Sequence, residues 1–88
     1  MSAATCSLLI VDDEYWVREN LRAMLSAPES PISLLEPAVD GEDAVRRIVC
    51  ERPDILITDI TMPFMSGNEL IKAVKRRYPQ TSVIVLSG

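Results

Sequence analysis

The chain has 88 residues, which suffice for one small domain over 1–88 and are too few for two. Its apolar fraction of 48% and charged fraction of 25% indicate a globular fold rather than a disordered segment. Histidine is absent, which excludes histidine-based acid/base catalysis, histidine–metal sites and a Ser–His–Asp triad within this chain.

The charge is distributed unevenly along the chain, whose net charge is −4. Residues 1–44 carry nine acidic and two basic side chains, whereas residues 45–88 carry four acidic and seven basic ones. An acidic chain is a poor ligand for nucleic acid, so we expect no direct contact with DNA or RNA. The acidity near the start of the chain suggests a cation site instead.

Targeting and redox signals are few. The first seven residues lack the basic and apolar regions of a signal peptide, and no apolar run reaches the length of a membrane span. We therefore expect a cytoplasmic protein without membrane contact. Cys6 and Cys50 are too few for a disulfide framework or a four-thiolate zinc site, and we predict two free, buried thiols.

The first half of the chain predicts two strands and two helices. The apolar run at 7–11 is typical of a strand buried on both faces, and it ends at Asp12 and Asp13. A helix over 15–26 follows, with four apolar residues predicted on its inner face: Val17, Leu21, Met24 and Leu25.

A second, weaker strand is predicted at 32–39. It belongs at the edge of a sheet because Pro37 cannot donate a ladder hydrogen bond. Asp40 is expected to cap the next helix, whose apolar stripe consists of Ala44, Val45, Ile48 and Val49.

The second half repeats this alternation. A strand at 55–58 ends at Asp59, and Ser66 with Glu69 has the spacing of a capping box at the start of a helix. The inner face of that helix is predicted to be Leu70, Ile71 and Val74, and its basic side chains are Lys72, Lys75, Arg76 and Arg77. We interpret the basic cluster as a solvated helix face, with a phosphate-rich partner as the alternative. A last strand at 83–86 ends at Ser87.

Strands that alternate with single helices predict a parallel sheet with right-handed crossovers. Functional residues of such sheets collect beyond the carboxyl ends of the strands. Three predicted strands end in polar residues, at Asp12 and Asp13, at Asp59 and at Ser87. We expect these side chains to converge in space.

Carboxylates held close together repel one another, and a hard divalent cation removes that conflict. Mg²⁺ prefers carboxylate and carbonyl oxygens together with water. Asp59 at a strand end would then serve as a nucleophile toward a phosphoryl group, and the hydroxyl of Ser87 would hydrogen-bond a phosphoryl oxygen.

Three motifs, in this order, resemble the receiver domain of two-component response regulators. They are LIVDDE at 9–14, DILITDITMP at 54–63 with Gly67 after it, and VIVLSG at 83–88. The resemblance covers essentially the whole chain. It implies a flavodoxin-like, doubly wound α/β fold with strand order 2-1-3-4 and a signalling role.

The resemblance also implies a role for each matching residue. Asp59 matches the phospho-accepting aspartate, Asp13 a direct metal ligand, and Asp12 the acid that holds the metal through water. The backbone carbonyl of Thr61 matches the third protein ligand to Mg²⁺, and Ser87 the switch hydroxyl. Met62 and Pro63 match the loop that shapes the site, and Gly67 matches a position of close backbone approach. The implied partners are a histidine kinase or phosphotransfer protein and an output domain, as in transcription regulators.

Receivers continue past the position of Gly88 with a helix, a fifth strand that ends in a lysine, and a fifth helix. The resemblance therefore implies a C-terminally truncated receiver, in which the metal pocket survives and the phosphorylation-driven switch is weakened. A bare fourth strand and uncovered sheet face predict self-association into a homo-oligomer through that edge or face.

Three functions remain open at this point. The first is a phosphoryl-accepting receiver, which is not an enzyme beyond assisting its own phosphorylation and dephosphorylation. The second is a non-phosphorylated interaction module of the same ancestry that acts by self-association. The third is a metal-dependent phosphohydrolase, against which stands the lack of a general acid or base beside Asp59, since Thr61 is not one.

Overall fold

The computed structural model describes residues 5–60 and 66–86, in which four strands alternate with three helices. The strands are β1 (Cys6–Val11), β2 (Ile32–Leu34), β3 (Ile55–Asp59) and β4 (Ser82–Leu86), and the helices are α1 (Tyr15–Leu25), α2 (Gly41–Glu51) and α3 (Gly67–Arg77). Every strand pair is parallel and the sheet order is β2-β1-β3-β4. The predicted flavodoxin-like α/β fold is confirmed, including its strand order.

The sheet separates two apolar cores. On one face, Leu9, Val11 and Leu56 pack with residues of α2 and α3. On the other, Leu8 and Ile10 of β1 pack with Ile57 and with side chains of α1. Alternate residues of β1 thus enter opposite cores, which is why its sequence is apolar without alternation.

The second strand is shorter than predicted. β2 ends at Leu34, and Ala38 forms only an isolated bridge with Val11. The Leu35 N–H donates to the Leu8 carbonyl and the Ala38 N–H to the Ile10 carbonyl, at 3.0 and 2.8 Å. Pro37 lies between these two bonds and has no N–H, so the ladder is interrupted there. The edge position predicted for this strand is confirmed.

The helices bury narrower stripes than the sequence predicts. In α1, Leu21 and Leu25 pack against the core, but Met24 is 76% exposed. Consecutive helical residues are about 100° apart around the axis, so Met24 points away when Leu25 points inward. The same geometry buries Ala44 and Ile48 in α2 and leaves their neighbours in the predicted stripe, Val45 and Val49, exposed. In α3, Leu70 and Val74 are buried, and Ile71 is half-buried.

Both predicted helix caps are present. An Asp40 side-chain oxygen accepts a hydrogen bond from the Asp43 N–H at 2.8 Å, and Ser66 Oγ accepts one from the Glu69 N–H at 3.2 Å. These bonds satisfy N–H groups that have no partner within the helix. The two caps fix where the chain turns back from the sheet into α2 and α3.

The prediction of buried thiols is wrong. Cys6 and Cys50 are both free, as expected, but both are exposed. Cys6 opens β1 before the strand enters the core, and Cys50 lies in the last turn of α2 on its outer side. Among the described residues, no helix has the length and apolar character needed to cross a lipid bilayer.

Gly67 lies where α3 begins against the end of β3. Its N–H donates to the Ile60 carbonyl at 2.7 Å. A Cβ at this position would lie 2.7 Å from the Cα of Ile60 and closer still to the Asp59 carbonyl oxygen. Those contacts are with backbone, which cannot swing aside as a side chain can. The close approach expected for Gly67 is therefore confirmed, and it sets the distance between α3 and the carboxyl end of β3.

We predict that Gly67→Ala lowers the free energy of unfolding by about 1–3 kcal/mol, because the added methyl group forces the backbone of α3 away from β3. Urea denaturation followed by circular dichroism measures this. Asn68→Ala is the matched control, since Asn68 is the exposed next residue of the same helix; its effect is expected within about 0.5 kcal/mol. Equal stabilities for the two variants would contradict the close packing at Gly67.

Candidate functional site

The candidate site lies at the carboxyl edge of the two central strands. β1 ends at Val11, directly before Asp12 and Asp13, and β3 ends at Asp59. Val11 is the register partner of Thr58, so the acids that follow emerge side by side. One carboxylate oxygen from each of Asp12, Asp13 and Asp59 lies within 4.8 Å of the other two. The predicted convergence of these three residues is confirmed.

The three carboxylates differ in their exposure to solvent. Asp12 is only 3% exposed, whereas Asp59 is half-buried and Asp13 is exposed. A side-chain oxygen of Asp12 accepts a hydrogen bond from the Glu14 N–H at 2.9 Å, and the Asp12 N–H donates to the Ala38 carbonyl at 3.2 Å. These bonds hold the buried carboxylate at the floor of the site.

Burial raises the pKa of Asp12 above its ordinary value, since the ionised form loses its water. The hydrogen bond from the Glu14 N–H acts in the opposite direction and lowers this pKa. The negative charges of Asp59, Asp13 and Glu14 raise it further. The ionised carboxylate is thus less favourable in the fold than in water, and a cation at the cluster would reverse that cost.

The donor set fits a hard divalent cation. All three groups offer carboxylate oxygens, and neither a thiolate nor an imidazole is among them. Zinc and copper prefer nitrogen and sulfur ligands, whereas Mg²⁺ takes one or two carboxylates together with waters. The exposure of Asp13 leaves the cluster open to solvent on one side, where such waters have access.

Arg18 is a residue of the site that the sequence analysis missed. Its Nη1 donates to the Asp12 backbone carbonyl at 2.8 Å, and its guanidinium lies 5.7 Å from the centre of the Tyr15 ring. The positively charged guanidinium of Arg18 therefore lies next to the acidic cluster. Its hydrogen bond also links the backbone of Asp12 to α1. The sequence does contain a signal for Arg18, because this basic residue follows three consecutive acids, at 12–14, by one helical turn.

Two exposed aromatic side chains lie at the start of α1, shortly after Asp12 and Asp13. Tyr15 is 68% exposed and Trp16 is 61% exposed. The indole Nε1–H of Trp16 donates to the Glu14 carboxylate at 3.1 Å. Trp16 is the only tryptophan of the chain, so its fluorescence reports on the start of α1, next to Asp12 and Asp13.

Other residues expected at the site lie outside the described parts of the chain. They include the backbone carbonyl of Thr61 as a metal ligand and the hydroxyl of Ser87, and the loop residues Met62 and Pro63. Their roles stay predictions.

Comparison with known proteins identifies the family. The response regulator receiver domain matches residues 8–88. Over 81 residues, or 92% of the chain, the sequence is 38% identical to the uncharacterized transcriptional regulatory protein YesN of Bacillus subtilis, of which it covers 22%. It is 35% identical over 80 residues to the transcriptional regulatory protein DegU of Brevibacillus brevis, covering 91% of the chain and 34% of that protein. The chain thus spans between a fifth and two fifths of these relatives.

Solved structures agree with this assignment. A two-component transcriptional regulator AraC from Clostridium phytofermentans superposes with a TM-score of 0.86 at 36% identity, over 96% of this chain and 68% of that one. The RcsB response regulator of Salmonella typhimurium superposes with a TM-score of 0.87 at 28% identity, over 97% and 44% of the two chains. The motifs, the strand order and the acidic cluster agree with these matches, and the chain belongs to the receiver domain family of two-component response regulators.

Proposed function

We propose that this receiver accepts a phosphoryl group on Asp59 from a histidine kinase or phosphotransfer protein, with Mg²⁺ held in the acidic cluster. The supporting observation is the convergence of Asp12, Asp13 and Asp59 within 4.8 Å at the carboxyl edge of the sheet. Receiver domains are signalling domains rather than enzymes. The proposal assigns this chain the same role, in the cytoplasm.

In the proposed transfer, a carboxylate oxygen of Asp59 attacks the phosphorus atom. The phosphorus–nitrogen bond to the donor imidazole breaks, and its electron pair stays on the nitrogen, which takes up a proton. Asp59 thereby becomes an acyl phosphate, whose hydrolysis by water returns the carboxylate and inorganic phosphate. The chain assists both steps by positioning Asp59 at the end of a fixed strand.

Asp12 and Asp13 serve as metal ligands in this proposal, Asp13 directly and Asp12 through water. Asp59 itself and the backbone carbonyl of Thr61 complete the protein contribution. When bound, Mg²⁺ neutralises the charge that an incoming phosphoryl group brings to three carboxylates. The burial of Asp12 supports this assignment, since an ionised carboxylate that is 3% exposed requires a compensating charge.

Phosphorylation would convert a local change of charge into a signal. A phosphoryl group on Asp59 adds negative charge and acceptor oxygens, and the Ser87 hydroxyl is the donor proposed to move toward it. That movement would change the surface read by an output domain. The curated relatives with 38% and 35% identity are transcriptional regulatory proteins, so we propose that the output here is transcription, with DNA contacts left to another domain.

Self-association is the second candidate function, and a specific observation favours it. β4 is the last strand of the described sheet, and two of its side chains, Ile84 and Val85, are 48% and 42% exposed. An unpaired strand edge with exposed apolar residues is a template for pairing with another chain. A second copy would pair β4 with β4 about a two-fold axis.

Incubation with acetyl phosphate and Mg²⁺ is expected to add one phosphoryl group to the 88-residue chain, seen by intact mass spectrometry. Asp59→Asn is expected to abolish the addition, because an amide oxygen is a poor nucleophile. Glu29→Gln, which neutralises an exposed loop carboxylate, is the control and should be phosphorylated like the wild type. Phosphorylation of the Asp59→Asn variant would contradict the assignment.

Mg²⁺ is expected to stabilise the fold and to change the fluorescence of Trp16. At a concentration 100 times its Kd, the gain is about 2.7 kcal/mol. Asp13→Asn should weaken Mg²⁺ at least about tenfold, or 1.4 kcal/mol. The same variant should melt at a higher temperature than the wild type in EDTA, because one of the repelling charges is removed. Thermal melts with and without Mg²⁺ measure both effects, and equal Mg²⁺ shifts in the two proteins would contradict the site.

For self-association, we expect the average mass by light scattering to rise with protein concentration. Ile84→Lys should hold the chain monomeric, since a charge at the strand edge opposes pairing. Val49→Lys is the matched control, because Val49 is 47% exposed on α2, away from the edge. A monomeric wild type at millimolar concentration would exclude this function.

A further inference from the structure

A second polar cavity lies at the end of the sheet opposite the acidic cluster. It has a volume of about 320 Å³ and lies between residues 52–54 and residues 77–81, and we call it the basal pocket. These segments directly precede β3 and β4, whereas the acidic cluster follows β1 and β3. The five residues of β3 place the two ends roughly 16 Å apart.

Two arginines line the basal pocket, Arg52 and Arg77. Within residues 5–60 and 66–86, no carboxylate lies at ion-pair distance from either guanidinium. The pocket also contains Asp54, but Oδ2 of this residue accepts hydrogen bonds from the Ser7 N–H and hydroxyl, at 2.9 and 3.3 Å. The lining therefore combines two arginines with one carboxylate, and that carboxylate is bound by Ser7 rather than by either arginine.

The backbone at Arg52 is unusual. This residue ends α2 with φ of 48°, and it is the only non-glycine residue with positive φ among the described residues. Helices that end in this left-handed conformation normally place glycine there, because a Cβ is unfavourable. A glycine would close the helix at lower conformational cost than the arginine does.

That side chain is held in place. The Arg52 guanidinium lies 5.3 Å from the centre of the Tyr78 ring, and Tyr78 packs against the core between the sheet and α2 and α3. A guanidinium beside a ring still has N–H groups to donate, and arginine can bond a phosphate in a bidentate manner.

Backbone and side-chain hydrogen bonds join the two walls of the pocket. The Thr81 hydroxyl donates to the Pro53 carbonyl at 3.0 Å, and the Ser82 N–H donates to the Asp54 carbonyl at 2.9 Å. The Thr81 N–H donates to the Tyr78 carbonyl at 3.0 Å. These bonds tie together the two segments that carry Arg52 and the residues after Arg77.

We propose that the basal pocket binds a small phosphate-bearing molecule, with Arg52 and Arg77 donating to its phosphoryl oxygens. The volume lies at the lower end of the range of about 300–1,000 Å³ for small-molecule sites. The site is independent of the acidic cluster, whose negative charges repel anions unless a cation is bound.

The test is a titration of the 88-residue chain with pyrophosphate, followed by amide NMR in EDTA at constant ionic strength. EDTA removes divalent cations, so the acidic cluster does not contribute. We expect saturable shifts grouped at 52–54 and 77–81. Arg52→Gly and Arg77→Gln should each weaken binding about tenfold or more, as expected when a charge-assisted hydrogen bond is lost. Glycine suits the backbone at 52, so the first variant is expected to fold.

Arg76→Gln is the matched control, because Arg76 is an exposed residue of the same helical turn that does not line the pocket. It should bind pyrophosphate with an affinity within about twofold of the wild type, since salt screens an exposed charge that lies outside the pocket. If Arg76→Gln and Arg77→Gln lost the same amount of affinity for pyrophosphate, the binding would be a general attraction to positive charge. That result would overturn the proposal. Absence of shifts at 10 mM pyrophosphate, or equal affinity for succinate, would overturn it as well.

Discussion

Three carboxylates held within 4.8 Å of one another are the constraint on which the rest of this structure depends. Their mutual repulsion opposes folding. The parallel sheet nevertheless holds the three carboxylates close together. β1 and β3 are neighbours in register, so the residues that follow them have no freedom to separate. The sheet can sustain this arrangement because Leu8, Leu9 and Ile10 bury apolar surface on both of its faces.

Several hydrogen bonds and close backbone contacts surround this cluster. Asp12 is fixed by two hydrogen bonds, one from the Glu14 N–H to its side chain and one from its own N–H to the Ala38 carbonyl. Gly67 brings the first turn of α3 into backbone contact with Asp59 and Ile60. Arg18 links the Asp12 carbonyl to α1. A change of charge at Asp59 therefore acts on a frame in which the neighbouring elements are already in contact.

The two ends of the sheet have opposite chemical character. Three acids gather where β1 and β3 end, and two arginines lie in the segments that precede β3 and β4. The acids are Asp12, Asp13 and Asp59, and the arginines are Arg52 and Arg77. A parallel sheet permits this separation because all its strands start on one side and finish on the other. An anion and a cation can therefore be held by one small domain without competing.

The sequence by itself determined the alternation of strands and helices, the parallel sheet, the caps at Asp40 and Ser66, and the convergence of the three acids. These features follow from local periodicity and from the rule that parallel strands end on one side of the sheet. The sequence predicted the break in β2 only in part. Pro37 indicated an edge strand, but it did not indicate where the hydrogen-bond ladder would resume.

Tertiary structure alone decided which apolar residues reach the core. Met24, Val45 and Val49 fit a helical stripe but are exposed in the fold, as are both cysteines. It also decided the roles of Arg18 and Arg52. The partners of these arginines, the Asp12 carbonyl and the Tyr78 ring, are set by how helices and loops pack. Patterns along a sequence report which side of an element is apolar, whereas these contacts depend on the distance and angle between elements.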